Sequence, residues 1–213
     1  MLFGKIDYIN LLPFYIFTKR YIQSAQLKQS IAYKKDFPSA INQKFKHRKI
    51  NAAFISSIES KRGNFTCLDV GIVAKGEIKS VLVKKGAFKP DSHSATSNAL
   101  AQKLGIKGEV IIGDKALKAY LKNPELYVDL AREWQKRENL PFVFARLCVN
   151  KNSVYFKKLS KRFVKEKIYI PQYILKKYAI SRGVEAKDIL EYLSLVSYEI
   201  GTKEKKSLKK FLA

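Results

Sequence analysis

Short apolar segments of strand length alternate with helix-start signals through the first half of the chain. Residues 4–10 are rich in strand-forming side chains and stop at Asn10, and Pro13 then lies where proline suits the first turn of a helix. A second helix is predicted over residues 38–45, followed by a strand over residues 50–55. Because strand and helix alternate in this way, the sequence predicts an α/β fold with a largely parallel sheet.

The other elements are predicted from the same kinds of signal. Further strands are expected over residues 27–33, 67–73, 78–83 and 110–112, the third of which contains Ser80. Helices are expected over residues 97–104, 115–121, 128–136, 155–166, 171–179, 186–198 and 205–212, and a last strand over residues 140–149. The chain beyond residue 154 is therefore predicted to be helical throughout.

The division of the chain is predicted from a break at Gly76 and from the late helical segment. A length of 213 residues suffices for one large domain or two small lobes. One lobe is expected to hold residues 1–75 together with residues 151–213, and the other lobe residues 76–150. A ligand cleft would then lie between the two lobes.

The charge balance of the chain is strongly basic. Lysine and arginine number 42 against 18 acidic residues, which gives a net charge of +24. Such a balance raises nucleic acid as a partner, but the basic residues are scattered and neither a zinc-finger spacing nor an RRM-type aromatic signature occurs. We therefore favour a lysine-rich surface over nucleic-acid binding, with the charge drawing small anions towards any cleft.

The hydrophobic segments indicate neither a membrane protein nor an exported one. No apolar run is long enough to cross a bilayer, and Asp7 and Pro13 interrupt the apolar N-terminal stretch. We therefore expect a cytoplasmic protein that does not bind membranes. Cys67 and Cys148 have no metal-like spacing and are expected to be buried free thiols.

Signals for a bound metal or organic cofactor are missing. The sequence contains no glycine-rich phosphate loop, no G-x-S-x-G and no H-E-x-x-H. His47 lies in a basic helix end, and for His93, in a hydroxyl-rich loop, a ligand contact is the less favoured interpretation. With so few ligands, neither a metal nor a cofactor is expected.

Polar and mostly uncharged side chains gather at the ends of the predicted elements. They are Asn10, Ser56, Ser57, Ser80, Thr96, Ser97 and Asp114. Such groups bind and orient a small polar anion, whereas they are poor nucleophiles without a base. Helix capping is the alternative interpretation for Asn10 and for Asp114, and the residues alone leave that choice open. In the hydroxyl-rich segment, capping explains one or two of the four hydroxyls but not all of them.

Eight short blocks, in order along nearly the whole chain, carry a family resemblance. The first is Gly4-x-Ile6-x-Tyr8-x-Asn10-x-Leu12-Pro13, and the others lie at residues 38–40 with 53–59, 78–81, 94–97, 112–117, 129–134, 140–145, and 192–193 with 198–201. In these blocks the chain resembles the chorismate dehydratases of menaquinone biosynthesis by the futalosine route. The resemblance implies the two-lobed fold of type II periplasmic binding proteins, with a ligand cleft between the lobes.

The resemblance also implies a reaction and a substrate. Chorismate would lose water to give 3-[(1-carboxyvinyl)oxy]benzoate, the substrate's own carboxylate taking the proton, without a metal or cofactor. Asn10 and Ser80 would hold the reacting face, Thr96 and Ser97 would bind a carboxylate, and Ser56 and Ser57 would line the opposite lobe. Asp114 would be a further substrate-binding residue, and a monomer or homodimer is expected.

The chain departs from the family pattern at some positions, and two alternative functions stay open. Asp7 and Lys79 stand where less polar or smaller residues are expected, and the high positive charge is not a family trait. One alternative is the sister enzyme of the pathway, which forms a dihydroxynaphthoate and is expected to use a histidine base. The other is a non-catalytic solute-binding protein for small anions.

Overall fold

Two separate β-sheets form the framework of the protein. A computed structural model describes residues 1–32, 35–61 and 63–213. The strands are β1 (Phe3–Gly4), β2 (Ala52–Ser56), β3 (Thr66–Ala74), β4 (Val81–Lys85), β5 (Gly108–Ile112), β6 (Tyr127–Asp129), β7 (Phe142–Val149) and β8 (Val196–Glu199). The larger sheet has the strand order β1-β2-β7-β3-β8, and the smaller sheet has the order β5-β4-β6.

Helices cover both sheets. They are α1 (Leu12–Tyr21), α2 (Ala25–Ala32), α3 (Pro38–Lys46), α4 (Ala95–Leu104), α5 (Gly113–Lys122), α6 (Leu130–Glu138), α7 (Ser153–Phe163), α8 (Gln172–Arg182), α9 (Ala186–Leu195) and α10 (Thr202–Leu212). Proline opens α1 and α3 as the sequence predicts. Among the described residues, none of these helices is long and apolar enough to span a bilayer.

The prediction of a largely parallel sheet is wrong. Only β1 and β2 pair in parallel among the described strands, while β7 runs antiparallel to both β2 and β3, and β8 runs antiparallel to β3. The smaller sheet is antiparallel as well. The physical reason is that the chain leaves the larger sheet after β3, builds the smaller sheet, and returns in the opposite direction along β7.

The two sheets use different parts of the chain. Strand β7, which the predicted boundary at residue 150 groups with residues 76–150, lies between β2 and β3 in the larger sheet. Most side chains of β7 are buried, including Leu147 and Cys148 at 0% exposure, so this apolar strand fits a central position. The division into lobes itself stays a prediction.

Several element predictions are also corrected. The strand expected over residues 4–10 is limited to Phe3–Gly4, and Ser80 lies just before β4 and not inside it. Residues 27–32 belong to α2 and not to a strand, and Tyr33 lies outside the described residues. Gln26, Lys28 and Gln29 are good helix formers and the segment lacks strict alternation of apolar and polar residues. The helix expected over residues 186–198 ends at Leu195, because Val196–Glu199 pairs with the edge of β3.

The two cysteines are bonded to each other. Cys67 on β3 and Cys148 on β7 lie directly opposite, with Cα atoms 4.1 Å apart, and form a disulfide. The expectation of two free thiols is therefore wrong. A separation of 81 residues in the chain gave no sign of the pairing, since it depends on the register of two strands that meet only in the folded protein.

An aromatic cluster fixes the start of α1. The ring of Phe14 lies 5.6 Å from that of Phe3, 5.0 Å from that of Phe54 and 5.2 Å from that of Phe163. Burying each such side chain stabilises the fold by about 1.5–3 kcal/mol. The packing of Phe14 therefore sets the position of the 3₁₀ turn at Ile9–Leu11, which runs directly into α1.

Candidate functional site

A small cavity lies between the two sheets. We call it the inner cavity, and it is lined by Ile6, Tyr8, Asn10, Leu11, Pro38, Phe54, Ser56, Ile72, Ser80, Val81, His93, Ser94, Ser97, Ile112, Phe144 and Ala145. Strands β2, β3 and β7 of the larger sheet form one wall, and β4 and β5 of the smaller sheet contribute to the other. The inner cavity has a volume of about 80 Å³.

A wider opening adjoins the inner cavity. This mouth measures about 560 Å³ and is lined by Asp7, Tyr8, Lys35, Asp36, Phe37, His93, Ile112, Asp114, Lys115 and Arg182. Tyr8, His93 and Ile112 line both spaces and so mark the passage between them. Ligand pockets usually measure about 300–1,000 Å³, so the inner cavity is smaller than a usual ligand pocket, whereas the mouth falls within that range.

Asn10 lies in the 3₁₀ turn and lines the inner cavity. Its backbone carbonyl accepts a hydrogen bond of 2.7 Å from the hydroxyl of Tyr198. The turn begins after Tyr8 and α1 begins after Leu11, and neither start has a side-chain cap. The capping alternative for Asn10 therefore finds no support, and its amide faces a cavity instead.

A buried tyrosine connects the two residues predicted to hold the reacting face. The hydroxyl of Tyr192 in α9 lies 2.9 Å from Oγ of Ser80 and also hydrogen-bonds the side chain of Asn10. Burial raises the pKa of Tyr192 well above its ordinary value, so the hydroxyl keeps its proton. If Asn10 donates to Tyr192 and Tyr192 donates to Ser80, the Ser80 proton is left for a ligand.

The turn that presents Ser80 is fixed by a buried carboxylate. Oδ2 of Asp129 accepts hydrogen bonds of 2.8 and 2.6 Å from the backbone N–H groups of Ile78 and Lys79, immediately before Ser80. Its Oδ1 accepts from the N–H groups of Ala131 and Arg132 and so caps α6. Lys79 has a left-handed backbone with φ of 57°, which these bonds hold in place.

Replacing Asp129 with alanine is expected to lower the free energy of unfolding by about 3 kcal/mol, because it removes a helix cap and leaves buried N–H groups without an acceptor. Urea denaturation followed by circular dichroism measures the change. Glu125→Ala, at an exposed carboxylate, is the control and should change stability by less than about 0.5 kcal/mol. A loss below about 1 kcal/mol for Asp129→Ala would contradict the role given to this carboxylate.

The hydroxyls of Ser56 and Ser97, which line the inner cavity, each accept a hydrogen bond from a neighbouring side chain. Nδ2 of Asn42 donates to Oγ of Ser56 at 3.1 Å, and Oγ of Ser94 donates to Oγ of Ser97 at 2.7 Å. Ser94 is the N-cap of α4, accepting from the backbone N–H of Ser97 at 3.2 Å. With their acceptor sites occupied in this way, Ser56 and Ser97 have their own protons free to donate to a ligand.

Ser57 and Thr96 lie beside the cavity and not among its described lining residues. The hydroxyl of Ser57 donates to the carbonyl of Val143 at 2.5 Å, and its side chain is fully buried. Oγ1 of Thr96 accepts from the backbone N–H of Ile58 at 3.2 Å, linking α4 to the segment after β2. Their substrate-binding roles stay predictions. The Thr96 bond joins α4 to the segment after β2, whereas the Ser57 bond lies within the larger sheet, because β2 and β7 are neighbours there.

Asp114 lies at the mouth, where it joins the two sides of the cleft. Its carboxylate accepts from the backbone N–H of Ile9 at 3.0 Å and from Nε of Arg182 at 2.6 Å. Burial raises the pKa of Asp114 in spite of these two partners. Arg182 also pairs with Asp7 at 3.0 Å, so these three side chains form one ion-pair cluster in the lining of the mouth. Asp114 does not cap α5.

Tyr8 lies at the passage and is a site residue that the sequence analysis did not select. Burial, followed by the carboxylates of Asp91 and Asp114, raises the pKa of Tyr8 to about 12. Its hydroxyl therefore stays protonated and able to donate. A side chain at Gly113 would meet the Tyr8 ring at 2.8 Å, and Gly113 has φ of +71°, so glycine permits this close approach.

Comparison with known proteins decides the family. A family model described as menaquinone biosynthesis matches residues 84–213. A curated chorismate dehydratase from Campylobacter jejuni subsp. jejuni serotype O:23/36 (strain 81-176) is 51% identical over 215 residues, covering 100% of this chain and 96% of that protein. The chain belongs to the chorismate dehydratase family. The resemblance found in the sequence is thereby confirmed.

Solved structures similar to this chorismate dehydratase family member show its fold. Protein AF1704 from Archaeoglobus fulgidus is 14% identical with a TM-score of 0.70, covering 98% of this chain and 94% of that one. CA3427 from Candida albicans, described as having the generic periplasmic binding protein fold, is 11% identical with a TM-score of 0.59, covering 99% and 89%.

The aliphatic sulphonate binding protein SsuA from Escherichia coli is a third structural relative. It is 10% identical with a TM-score of 0.54, and the match covers 96% of this chain and 81% of that one. The periplasmic-binding-protein-like fold predicted for this member of the chorismate dehydratase family is thus confirmed.

A larger groove elsewhere on this family member is less suited to an anion. It measures about 970 Å³ and runs past Pro13, Leu193 and Tyr198. Its described lining includes Glu77, Glu166 and Glu199 but only one cationic residue, Lys75. Three carboxylates would repel a dianion. The groove is therefore a poor site for an anionic ligand although it is larger than the inner cavity.

Proposed function

We propose that this chain is a chorismate dehydratase that converts chorismate to 3-[(1-carboxyvinyl)oxy]benzoate and water. The observation that carries the proposal is the 51% identity, over the whole chain, to a curated chorismate dehydratase. The inner cavity supports it, because Asn10, Ser56, Ser80 and Ser97 present polar, uncharged groups there. We further propose that the product enters menaquinone biosynthesis by the futalosine route.

The proposed reaction breaks one C–H and one C–O bond of the substrate ring. The proton leaves the ring carbon that bears the enolpyruvyl ether, its electron pair forms the new ring double bond, and the neighbouring hydroxyl departs. That hydroxyl and one proton leave as water, and the ring becomes aromatic. We assign proton removal to the substrate's own carboxylate, so that the protein orients the ring and stabilises the departing oxygen.

The side chains divide this work between the two sides of the cleft. Asn10 donates a hydrogen bond from its amide N–H to a substrate oxygen. Ser80, whose hydroxyl is hydrogen-bonded to Tyr192, donates a hydrogen bond to the departing hydroxyl. Ser97 binds a carboxylate near the start of α4, where the helix dipole favours negative charge. Ser56 holds the opposite side of the ring.

Incubating the purified protein with chorismate and recording proton NMR spectra tests the proposal. New aromatic signals are expected, from a product that has lost one water relative to chorismate. A naphthoate formed only from a cyclic futalosine derivative would instead identify the sister enzyme. Binding of chorismate without any conversion would identify a solute-binding protein.

The basic surface should assist the capture of a dianionic substrate. With a net charge of +24, kcat/KM is expected to fall several-fold when ionic strength rises from about 0.01 M to about 0.15 M, as the Debye length shrinks from about 30 Å to about 8 Å. Steady-state kinetics in sodium chloride measures this, with kcat at saturating substrate as the internal control. A value of kcat/KM indifferent to salt would contradict electrostatic capture.

The oligomeric state and the cellular location remain predictions from the sequence. A monomer or homodimer is expected, and light scattering of the purified protein measures the mass. The cytoplasmic location, and the absence of nucleic-acid or membrane partners, likewise stay predictions.

A further inference from the structure

His93 lies at the passage between the inner cavity and the mouth and lines both spaces. Among the described lining residues of the inner cavity there is neither a lysine nor an arginine. His93 is the one side chain of that lining that can become a cation by binding a proton. A ligand with two carboxylates therefore meets a single ionisable nitrogen base at the edge of this cavity.

The other cations near the passage already have carboxylate partners. Nζ of Lys35 lies 3.1 Å from Asp7, and Nζ of Lys115 lies 3.0 Å from Asp91. Arg182 pairs with Asp7 at 3.0 Å and with Asp114 at 2.6 Å. A substrate carboxylate would have to compete with these pairs, whereas no ion pair to His93 occurs in the described part of the chain.

The ring of His93 is held in a fixed orientation by groups from the opposite side of the cleft. It stacks on the ring of Phe37 with centroids 4.4 Å apart and planes 11° apart. Its Nδ1 lies 3.3 Å from Oγ of Ser39 at the start of α3. Because Nδ1 is engaged, Nε2 of the ring is left for a ligand. The backbone N–H of His93 donates to the carboxylate of Asp91 at 2.8 Å.

We propose that His93, in its cationic form, binds one of the two carboxylates of the substrate through Nε2. This inference rests on the proposed function, because it takes chorismate as the ligand. Since Phe37 and Ser39 approach from the α3 side and His93 from the loop before α4, the binding geometry is completed as the cleft closes. Because His93 lies at the passage, where it lines both spaces, we assign to it the carboxylate that does not take the proton.

A carboxylate that keeps its charge throughout the reaction is bound equally in the ground state and the transition state. Removing such a contact raises KM and leaves kcat nearly unchanged. Hydrogen bonds to charged groups contribute enough that their loss corresponds to about 10- to 100-fold in affinity. A change in KM without a change in kcat is therefore the signature of this role.

Steady-state kinetics of two variants tests the proposal. His93→Phe keeps an aromatic ring for Phe37 but removes both nitrogens, and it is expected to raise KM about 10- to 100-fold with kcat within about threefold of wild type. His93→Gln keeps an N–H donor without the charge and should raise KM less. His47→Gln, at the exposed end of α3, is the matched control and should leave both constants unchanged.

A normal KM for His93→Phe would overturn the proposal, and so would a large fall in kcat at normal KM, which would make His93 an acid or base. Calorimetric titration with 3-[(1-carboxyvinyl)oxy]benzoate separates this result from the proposed function. If wild type binds this dianion but never converts chorismate, the function fails while a weaker Kd in His93→Phe still supports the carboxylate site. Equal Kd values in both proteins, or no binding to wild type, would overturn the site.

Discussion

Asn10→Asp should fold normally and lose at least about a hundredfold in the rate of chorismate dehydration, because one oriented donor in such a site contributes about 10²–10³ in turnover. An ionised aspartate has no N–H to donate and adds a negative charge beside a dianionic substrate. Stability should change little, since Asn10 caps neither the 3₁₀ turn nor α1. The measurements are kcat on chorismate and the midpoint of thermal unfolding.

A matched control is Asn64→Asp, at an exposed position outside the inner cavity. It makes the same chemical change and should keep wild-type turnover. Near-normal turnover by a well-folded Asn10→Asp protein would remove Asn10 from the reacting site. It would also undermine the roles carried over from the family, of which Asn10 is the most specific residue.

Ser80→Ala should lose about a hundredfold in kcat, since the departing hydroxyl then has no donor on that side of the cavity. Tyr192→Phe keeps the ring that fills its buried position but removes the hydroxyl 2.9 Å from Ser80. Without it, the Ser80 hydroxyl is free to rotate, and a loss of about tenfold in kcat is expected for one neutral hydrogen bond. Steady-state assays of each variant measure these losses.

The double variant separates a shared role from two independent ones. If Tyr192 acts only by positioning Ser80, then Ser80→Ala with Tyr192→Phe should be no slower than Ser80→Ala alone. Tyr173→Phe, at a residue with 73% exposure on α8, is the control and should be silent. Losses that multiply in the double variant would show that Tyr192 works through Asn10 or directly on the substrate.

Signals that act within a few residues were sufficient to predict most helices. Pro13 and Pro38 open α1 and α3, and the hydroxyl-rich segment opens α4 with Ser94 as its cap. Strand pairing was mispredicted for the opposite reason. The partners of β7 lie far away in the chain, and the alternation of strand and helix does not reveal that the chain crosses to a second sheet and returns.

The candidate site shows the same limit. Asn10 and Ser80 stand at element ends in blocks that resemble the family, so the sequence indicated both of them. Tyr192 also stands in a family block, but it lies 112 residues after Ser80, and no local signal predicts that its buried hydroxyl lies 2.9 Å from Oγ of Ser80. Arg182 lies 175 residues after Asp7 and 68 residues after Asp114, and no local spacing predicts that it joins them.

The contact between substrate and Asn10 is tested most directly by a crystal structure of Ser80→Ala with chorismate bound, since the slow variant preserves the substrate. We predict chorismate in the inner cavity, with the side-chain nitrogen of Asn10 within about 3.2 Å of a substrate oxygen and the ring hydroxyl facing position 80. Chorismate bound instead in the groove beside Glu77 and Glu199, with the inner cavity closed, would contradict the account.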